Sequence, residues 1–478
     1  MKLLNKITNI YLYSIFIIFI LLIDKTGYHN ILYIKWNIYV YTTVIYILAI
    51  LLTIVFQIIR SSINIKDFKF NKIHLFALIY IFILILSCLL SPFKNYNLLI
   101  GSTRMEGLIV NIIYVISFIV ISLTYKYDKK IIYAILLPSI IMALMIMIQR
   151  FIYNPFSVSK DVSSEIFYGT IGNIDTIGLL YTIYIIIGIS LYIFTNKVIN
   201  RVYIIISIIS SLIVMAIINV LNMYVTLLII LILLFPFVIL SSKYLKRYLM
   251  ITISIISICI FKYYNYWYFI ILVIILISLF LILIRNINYS ILNKKNVIKC
   301  FIGLLLILLG IIISIYFINF KNGLLFEVHN ILHGNIVDSY GTYRIFLWKR
   351  TFGMINSNNI LLGTGVDTYY IAFSNKYFDE LVMNGYVNIN DTASNFYLTR
   401  LINIGVIGLS SFLLFLGSIV CLARNNKCSD ATSICLFITI ISYLIQGLFN
   451  LEVVIVTPIF YCILAMYTSL KISKVTVL

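Results

Sequence analysis

The sequence predicts an all-α polytopic integral membrane protein of about 12–14 transmembrane helices, with one large extracytoplasmic loop that contains short helices. Three observations predict it. Hydrophobic residues make up 63% of the 478 positions and charged residues only 10%. Mean hydropathy is +1.11. The apolar residues fall in runs of roughly 20, the length that crosses a bilayer core. A soluble domain cannot hide that much apolar side chain, whereas a bilayer acts as its solvent.

The runs lie at about 8–24, 38–59, 74–91, 106–124, 131–151, 175–194, 201–219, 222–241, 248–262, 266–284, 298–318, 401–423, 431–448 and 453–470. The break at Lys262–Asn265 makes the pair at 248–284 the weakest division. The runs do not alternate apolar with polar residues, which excludes a closed β-barrel. The first run has no small-residue cleavage site after it and reads as a retained helix.

Net charge is +20, from 35 Lys and Arg against 15 Asp and Glu. The cations sit in short gaps between apolar runs, as basic cytoplasmic loops do, so no nucleic acid partner is expected. With the N-terminus inside, the inner gaps hold roughly two-thirds of the Lys and Arg, among them Lys2, Lys6, Arg60, Lys126, Arg201, Arg247, Arg285 and Lys471. Of the acidic residues only Asp67, Asp128 and Asp430 fall inside. Both termini are therefore expected in the cytoplasm of a bacterial cell and the protein in its cytoplasmic membrane. Bias toward Ile, Tyr, Asn and Lys fits an AT-rich genome. Seven cysteines, none in the polar loop and none as Cys-x-x-Cys, argue for neither a disulfide framework nor a metal centre.

This orientation places residues 319–400 outside, within a single transmembrane domain spanning 1–478. A connection of that length is expected to be functional. Tyr343–Met354 has helix-forming character, and Gly363, Gly365 and Asn384-Gly385 mark turns. The next most polar outer segments are 92–105 and 152–175.

Charges near membrane depth are functional candidates by default. Arg104 and Glu106 stand at the head of one apolar run, Arg150 ends another, and Arg400 begins the run after the large loop. Each also reads as a snorkelling interfacial residue, or, for the first two, as a local ion pair. In the loop, Arg344, Leu347 and Trp348 share a helix face, with Trp348 suited to an apolar–polar boundary and Arg344 to an anion or sugar. A membrane-surface amphipathic helix is the rival reading. His329 and His333 are four apart; His suits proton transfer near neutral pH, and no further ligands make a metal site. Gly363-Thr364-Gly365 reads as a tight turn, not a nucleotide loop. Asp391 and Asn395, four apart, can share a helix face, one capping the N-terminus and the other meeting a sugar hydroxyl.

The ordered motifs Tyr-Arg-Ile-x-x-Trp (343–348), Leu-Leu-Gly-Thr-Gly-Val-Asp (361–367), Asp-x-Ala-x-Asn-x-Tyr-Leu (391–398) and Gly-Val-Ile-Gly-Leu (405–409) resemble the O-antigen ligase/polymerase family. Gly-Thr-Ile-Gly-Asn (169–173), which ends in Asn173, and Thr-Arg-Met-Glu-Gly (103–107) are also similar to segments found there. The resemblance spans about 100–470. It implies a glycosyltransferase that takes a polyprenyl-diphosphate-linked glycan as donor and passes the glycan to an acceptor hydroxyl of a glycan or lipid-glycan. It implies no cofactor and no metal. Arg344 matches the family's loop arginine, and Arg104, Arg150 and Arg400 would hold the diphosphate with Asn173, Trp348 and Asn395 beside it. A His-Asn pair is common where this chain has Ser394-Asn395, so His333 or Glu106 stands in as base, with Asp391 nearby. The alternative reading is a lipid-linked glycan flippase or transporter of the cell envelope.

Overall fold

The computed structural model describes residues 1–64, 68–154, 167–239, 241–264, 309–310, 313–318, 320, 323–356, 359–383, 391–424 and 431–475. Among them, seven helices are long and apolar enough to cross a membrane, and the only strands are two of two residues each. The expected spans at 266–284 and across most of 298–318 lie outside the described residues, as does the Asn384-Gly385 turn.

The first run forms α1 (Lys2–Tyr13), which loosens into a π-helix at Ser14–Phe19. The carbonyls at its end need partners in an apolar setting. Buried Lys35 donates to those of Phe19 (2.5 Å) and Ile20 (3.0 Å), and Thr170 adds a bond to Ile20 (2.5 Å). Lys35 belongs to α2 (Ile31–Ile59), whose outer face exposes Leu48, Leu51, Leu52, Val55 and Phe56. Such a row on a membrane helix is a lipid-facing surface.

Next come α3 (Lys72–Leu89), capped by Asn71, and α4 (Leu108–Thr124). The run at 131–151 divides into α5 (Lys129–Ala134) and α6 (Leu137–Phe151), with Pro138 at the start of the second. A small hairpin pairs Phe167–Tyr168 with Gly172–Asn173. Asn173 then caps α7 (Ile174–Phe194) by accepting from the amides of Asp175 (2.9 Å) and Thr176 (3.2 Å). α7 is apolar on all sides and almost wholly buried, so it forms the centre of the bundle. Around it stand α8 (Val198–Ile218), α9 (Leu221–Val238) and α10 (Ser242–Tyr264).

In the long polar segment, α11 (Gly323–Leu332), α12 (Arg344–Gly353) and α13 (Tyr369–Met383) are described. α12 lies within the stretch expected to be helical. Phe346, Leu347, Met354, Tyr369, Phe373 and Ala393 form a small core that also takes in Ile402 of α14 (Phe396–Val420). α15 (Ala431–Gln446) and the deeply buried α16 (Thr457–Val475) complete the order.

α14 is broken at Gly405, where φ is 67° and ψ −176°. Residues 360–365 fill the break. The amides of Thr364 and Gly365 donate to the carbonyls of Ile402 (2.9 Å) and Asn403 (2.8 Å). Those of Val406 and Ile407 donate to Ile360 (2.8 Å) and Leu361 (3.1 Å). Ser87 of α3 closes the junction with bonds to the carbonyls of Leu362 (2.6 Å) and Asn403 (3.1 Å). Freed backbone groups are tolerated in a membrane helix only when protein satisfies them, as here. A Cβ on Gly405 would strike the Leu361 carbonyl, and its dihedrals are open to glycine almost alone. Gly405→Ala should therefore cost at least about 1–3 kcal/mol from the backbone strain. The check is the melting temperature and monodisperse yield in detergent; wild-type values for both would refute the interlock.

Hydrogen bonds between connections gather at two ends of the bundle. At one end Tyr28 donates to Gly169 O (2.9 Å), Asn222 to Phe449 O (2.9 Å) and Asn450 to Asp175 O (3.3 Å). At the other, the Lys126 amide donates to Asn5 (2.7 Å), Tyr127 meets Thr432 (3.0 Å) and Ser469 donates to Tyr125 O (2.6 Å).

Candidate functional site

The segments 101–107, 364–367, 391–400 and 450–452 converge at the first of those ends. Each brings charge. Arg104 forms a two-pronged pair with Asp391, Nε to Oδ2 at 2.5 Å and Nη2 to Oδ1 at 2.8 Å. Parallel donors on a carboxylate fix direction as well as charge. Asp367, in the turn after Gly365, accepts from the amides of Ser102 (2.9 Å) and Arg104 (3.4 Å) through Oδ2. Its backbone there is left-handed, with φ 55°. Burial pushes the Asp367 carboxyl up to about 6, against the pull of those backbone donors and that of Thr103.

The native state thus holds the Asp367 proton more tightly than the unfolded chain does. Its contribution to stability is full below about pH 4, falls as pH rises through about 6, and totals on the order of 3 kcal/mol. Melting temperature should drop across that window in the wild type and stay flatter in Asp367→Asn. Parallel curves for the two proteins would contradict the assignment.

Glu106 is buried, two residues ahead of α4. Tyr114 donates to Oε1 (3.1 Å), while Oε2 is buried with no hydrogen-bond partner. Burial raises this carboxyl well above the usual range, and the charges of Glu452 and Asp367 add to the effect. Arg400 is deeper still. It makes two 2.8 Å bonds to Glu452, meets Tyr80, and lies between the rings of Phe396 (4.8 Å) and Phe412 (4.2 Å).

These groups line a small, partly open cavity of about 40 Å3, bounded by Arg104, Glu106, Asn111, Asp367, Thr392, Thr399, Arg400, Asn403 and Glu452 with apolar walls at Leu84, Val366 and Ile404. A second, of about 350 Å3, is bounded by Thr103–Met105 and by Tyr28, His29, Tyr33, Asn173 and Thr176. Arg104 lines both.

Arg344 opens α12. Its Nη1 donates to Gly341 O (3.0 Å) and Thr342 Oγ1 (2.5 Å), and its buried Nε has no partner. Burial lowers its proton affinity, and the nearby Asp175 carboxylate opposes that shift. Asp175 feels both Arg344 and Arg104, so the two cations border one region.

Several expectations need correction. Arg104 and Glu106 precede the helix rather than begin it, and Arg104 pairs with Asp391, not with Glu106. Asp391 and Asn395 share no helix face, because α14 starts only at Phe396. Asn395 is the cap: its Oδ1 accepts from the amides of Tyr397 and Leu398 (both 3.0 Å), and its Nδ2 donates to Leu448 O (3.0 Å). Trp348 donates to Ala393 O (3.1 Å), tying α12 to the segment before α14. Arg150 contacts the Tyr168 hydroxyl (3.3 Å) beside the hairpin. His333 stacks on Tyr316 (4.2 Å between centroids) and bonds His329 O (2.9 Å), and it lines neither cavity. Among the described residues no group of three or more His, Cys, Asp and Glu gathers to hold a metal.

Sequence reasoning did not single out Glu452, Asp367, Asn403 or Asp175. Glu452 had a usable signal: it is a lone acid between two apolar runs, where only a partnered charge is tolerated. No family model matches the sequence, and no curated protein matches it either.

Proposed function

We propose that the protein is a membrane glycosyltransferase that moves a glycan from a polyprenyl diphosphate to a hydroxyl of a glycan or lipid-glycan acceptor, as a polymerase or ligase of cell-surface polysaccharide. The observation that carries this reading is Arg344: a half-buried guanidinium with an unmet donor, and with no carboxylate in ion-pair range among the described residues. A fork of donors near a membrane edge suits phosphate oxygens and offsets the charge that grows as the diphosphate leaves. Arg104 lies on the same border region but is engaged by Asp391, so it assists.

In the reaction the acceptor oxygen attacks the anomeric carbon. The bond from that carbon to the diphosphate oxygen breaks, and the hydroxyl proton passes to Glu106. The loop end of the bundle faces the outside in this reading, as the distribution of Lys and Arg supports. Arg400 acts as a structural keystone, since Glu452 already balances its charge. The test is synthesis of polymer or glycoconjugate from lipid-linked repeat units by the purified protein in proteoliposomes. The interrupted α14 also suits a transporter of lipid-linked glycans. Flipping of a fluorescent lipid-linked glycan without transfer would favour that second reading and sink the first.

A further inference from the structure

The charges around the 40 Å3 cavity do not suit a diphosphate. Arg104 and Arg400 are its two cations, and each is already held by a carboxylate, Asp391 and Glu452. Glu106 and Asp367 add further acid. A dianionic group entering here would meet as much negative charge as positive. The cavity does offer unmet acceptors. Glu106 Oε2 and Asn403 Oδ1 are both buried, both without a hydrogen-bond partner, and both on residues that line this cavity. Buried acceptors are rarely left orphaned, and each one needs a ligand or another explanation.

Among the described residues, Asn403 Oδ1 makes no hydrogen bond that holds the fold. Its backbone carbonyl makes the structural bonds, to the Gly365 amide (2.8 Å) and Ser87 Oγ (3.1 Å) at the break in α14. Asn403 stands two residues before the break at Gly405 and lines the cavity.

We infer that this cavity receives two neighbouring hydroxyls of the incoming glycan acceptor, the attacking one donating to Glu106 Oε2 and the other to Asn403 Oδ1, while the donor diphosphate stays on the Arg344 side. This rests on the glycosyltransferase reading. It divides the site into an anion-binding half and a hydroxyl-binding half, and it makes Asn403 a positioning residue for the acceptor. The attacking hydroxyl gives its proton to Glu106 as its oxygen bonds to the anomeric carbon. Asn403 takes no proton.

Two measurements on the full chain test it. The first is transfer from lipid-linked repeat units to a methyl glycoside acceptor in proteoliposomes. Asn403→Leu should raise the acceptor KM about tenfold, the worth of one buried hydrogen bond, and leave the donor KM unchanged. Equal rises in both constants, or no rise, would overturn the assignment. The second needs no transfer and no variant: labelling of Glu106 by dicyclohexylcarbodiimide, read by peptide mass spectrometry. Methyl glycoside should slow it. Slowing by sodium chloride but not by choline chloride or the glycoside would make this a cation site and overturn the hydroxyl assignment. If the wild type transfers no glycan at all, the enzymatic reading fails on its own, and the labelling result alone judges the cavity.

Discussion

Arg344→Ala should lower glycan transfer by about 100- to 1,000-fold while leaving the folded yield intact. Loss of one preorganised charge at a leaving group has that scale because it acts mainly as charge develops. The fold has little stake in the side chain. Among the described residues its bonds reach only Gly341 and Thr342, just before it in the chain. Arg344→Lys should recover little, because a point charge cannot form the fork that phosphate oxygens accept. Initial rates in proteoliposomes, read beside gel-filtration profiles, decide the matter. An unchanged rate in a well-folded Ala variant would remove the central claim about this site.

Glu452→Ala should do the opposite: unfold the protein before any question of rate arises. Arg400 is 5% exposed and its fork is filled by Glu452. Removing the acid strands a cation among Phe396, Phe412 and Tyr80. Breaking one side of a buried pair costs about 3–5 kcal/mol, most of it from the unpaired charge left behind. Replacing both partners with apolar residues, Arg400→Met with Glu452→Leu, should restore much of the melting temperature. A Glu452→Ala protein as stable as the wild type would show that Arg400 has another partner.

The apolar runs and the helix near Tyr343–Met354 were legible because they depend on local composition. The charge partners were not. Arg104 has an acid two residues away, yet it pairs with Asp391, 287 residues along. Arg400 resembled a phosphate ligand until Glu452 was placed against it. Hydropathy tells where a helix crosses, but not which helix lies beside it, so pairing across the bundle is invisible in one dimension. The glycine motifs were half-legible. Gly363 read as a turn, but the space it and Gly405 leave for one another appears only in three dimensions. His333 shows the reverse case. Its chemistry was attractive, but its contacts are local to Tyr316 and His329.

The strap at 360–365 also sets the order in which the chain can be completed. Ser87 waits for Leu362, 275 residues later, and for Asn403, 316 residues later. Until the chain has been made past residue 403, the Ser87 hydroxyl of α3 lacks both of these acceptors. Truncation anywhere before residue 405 should therefore leave a nascent chain that quality-control proteases recognise, rather than a smaller working protein.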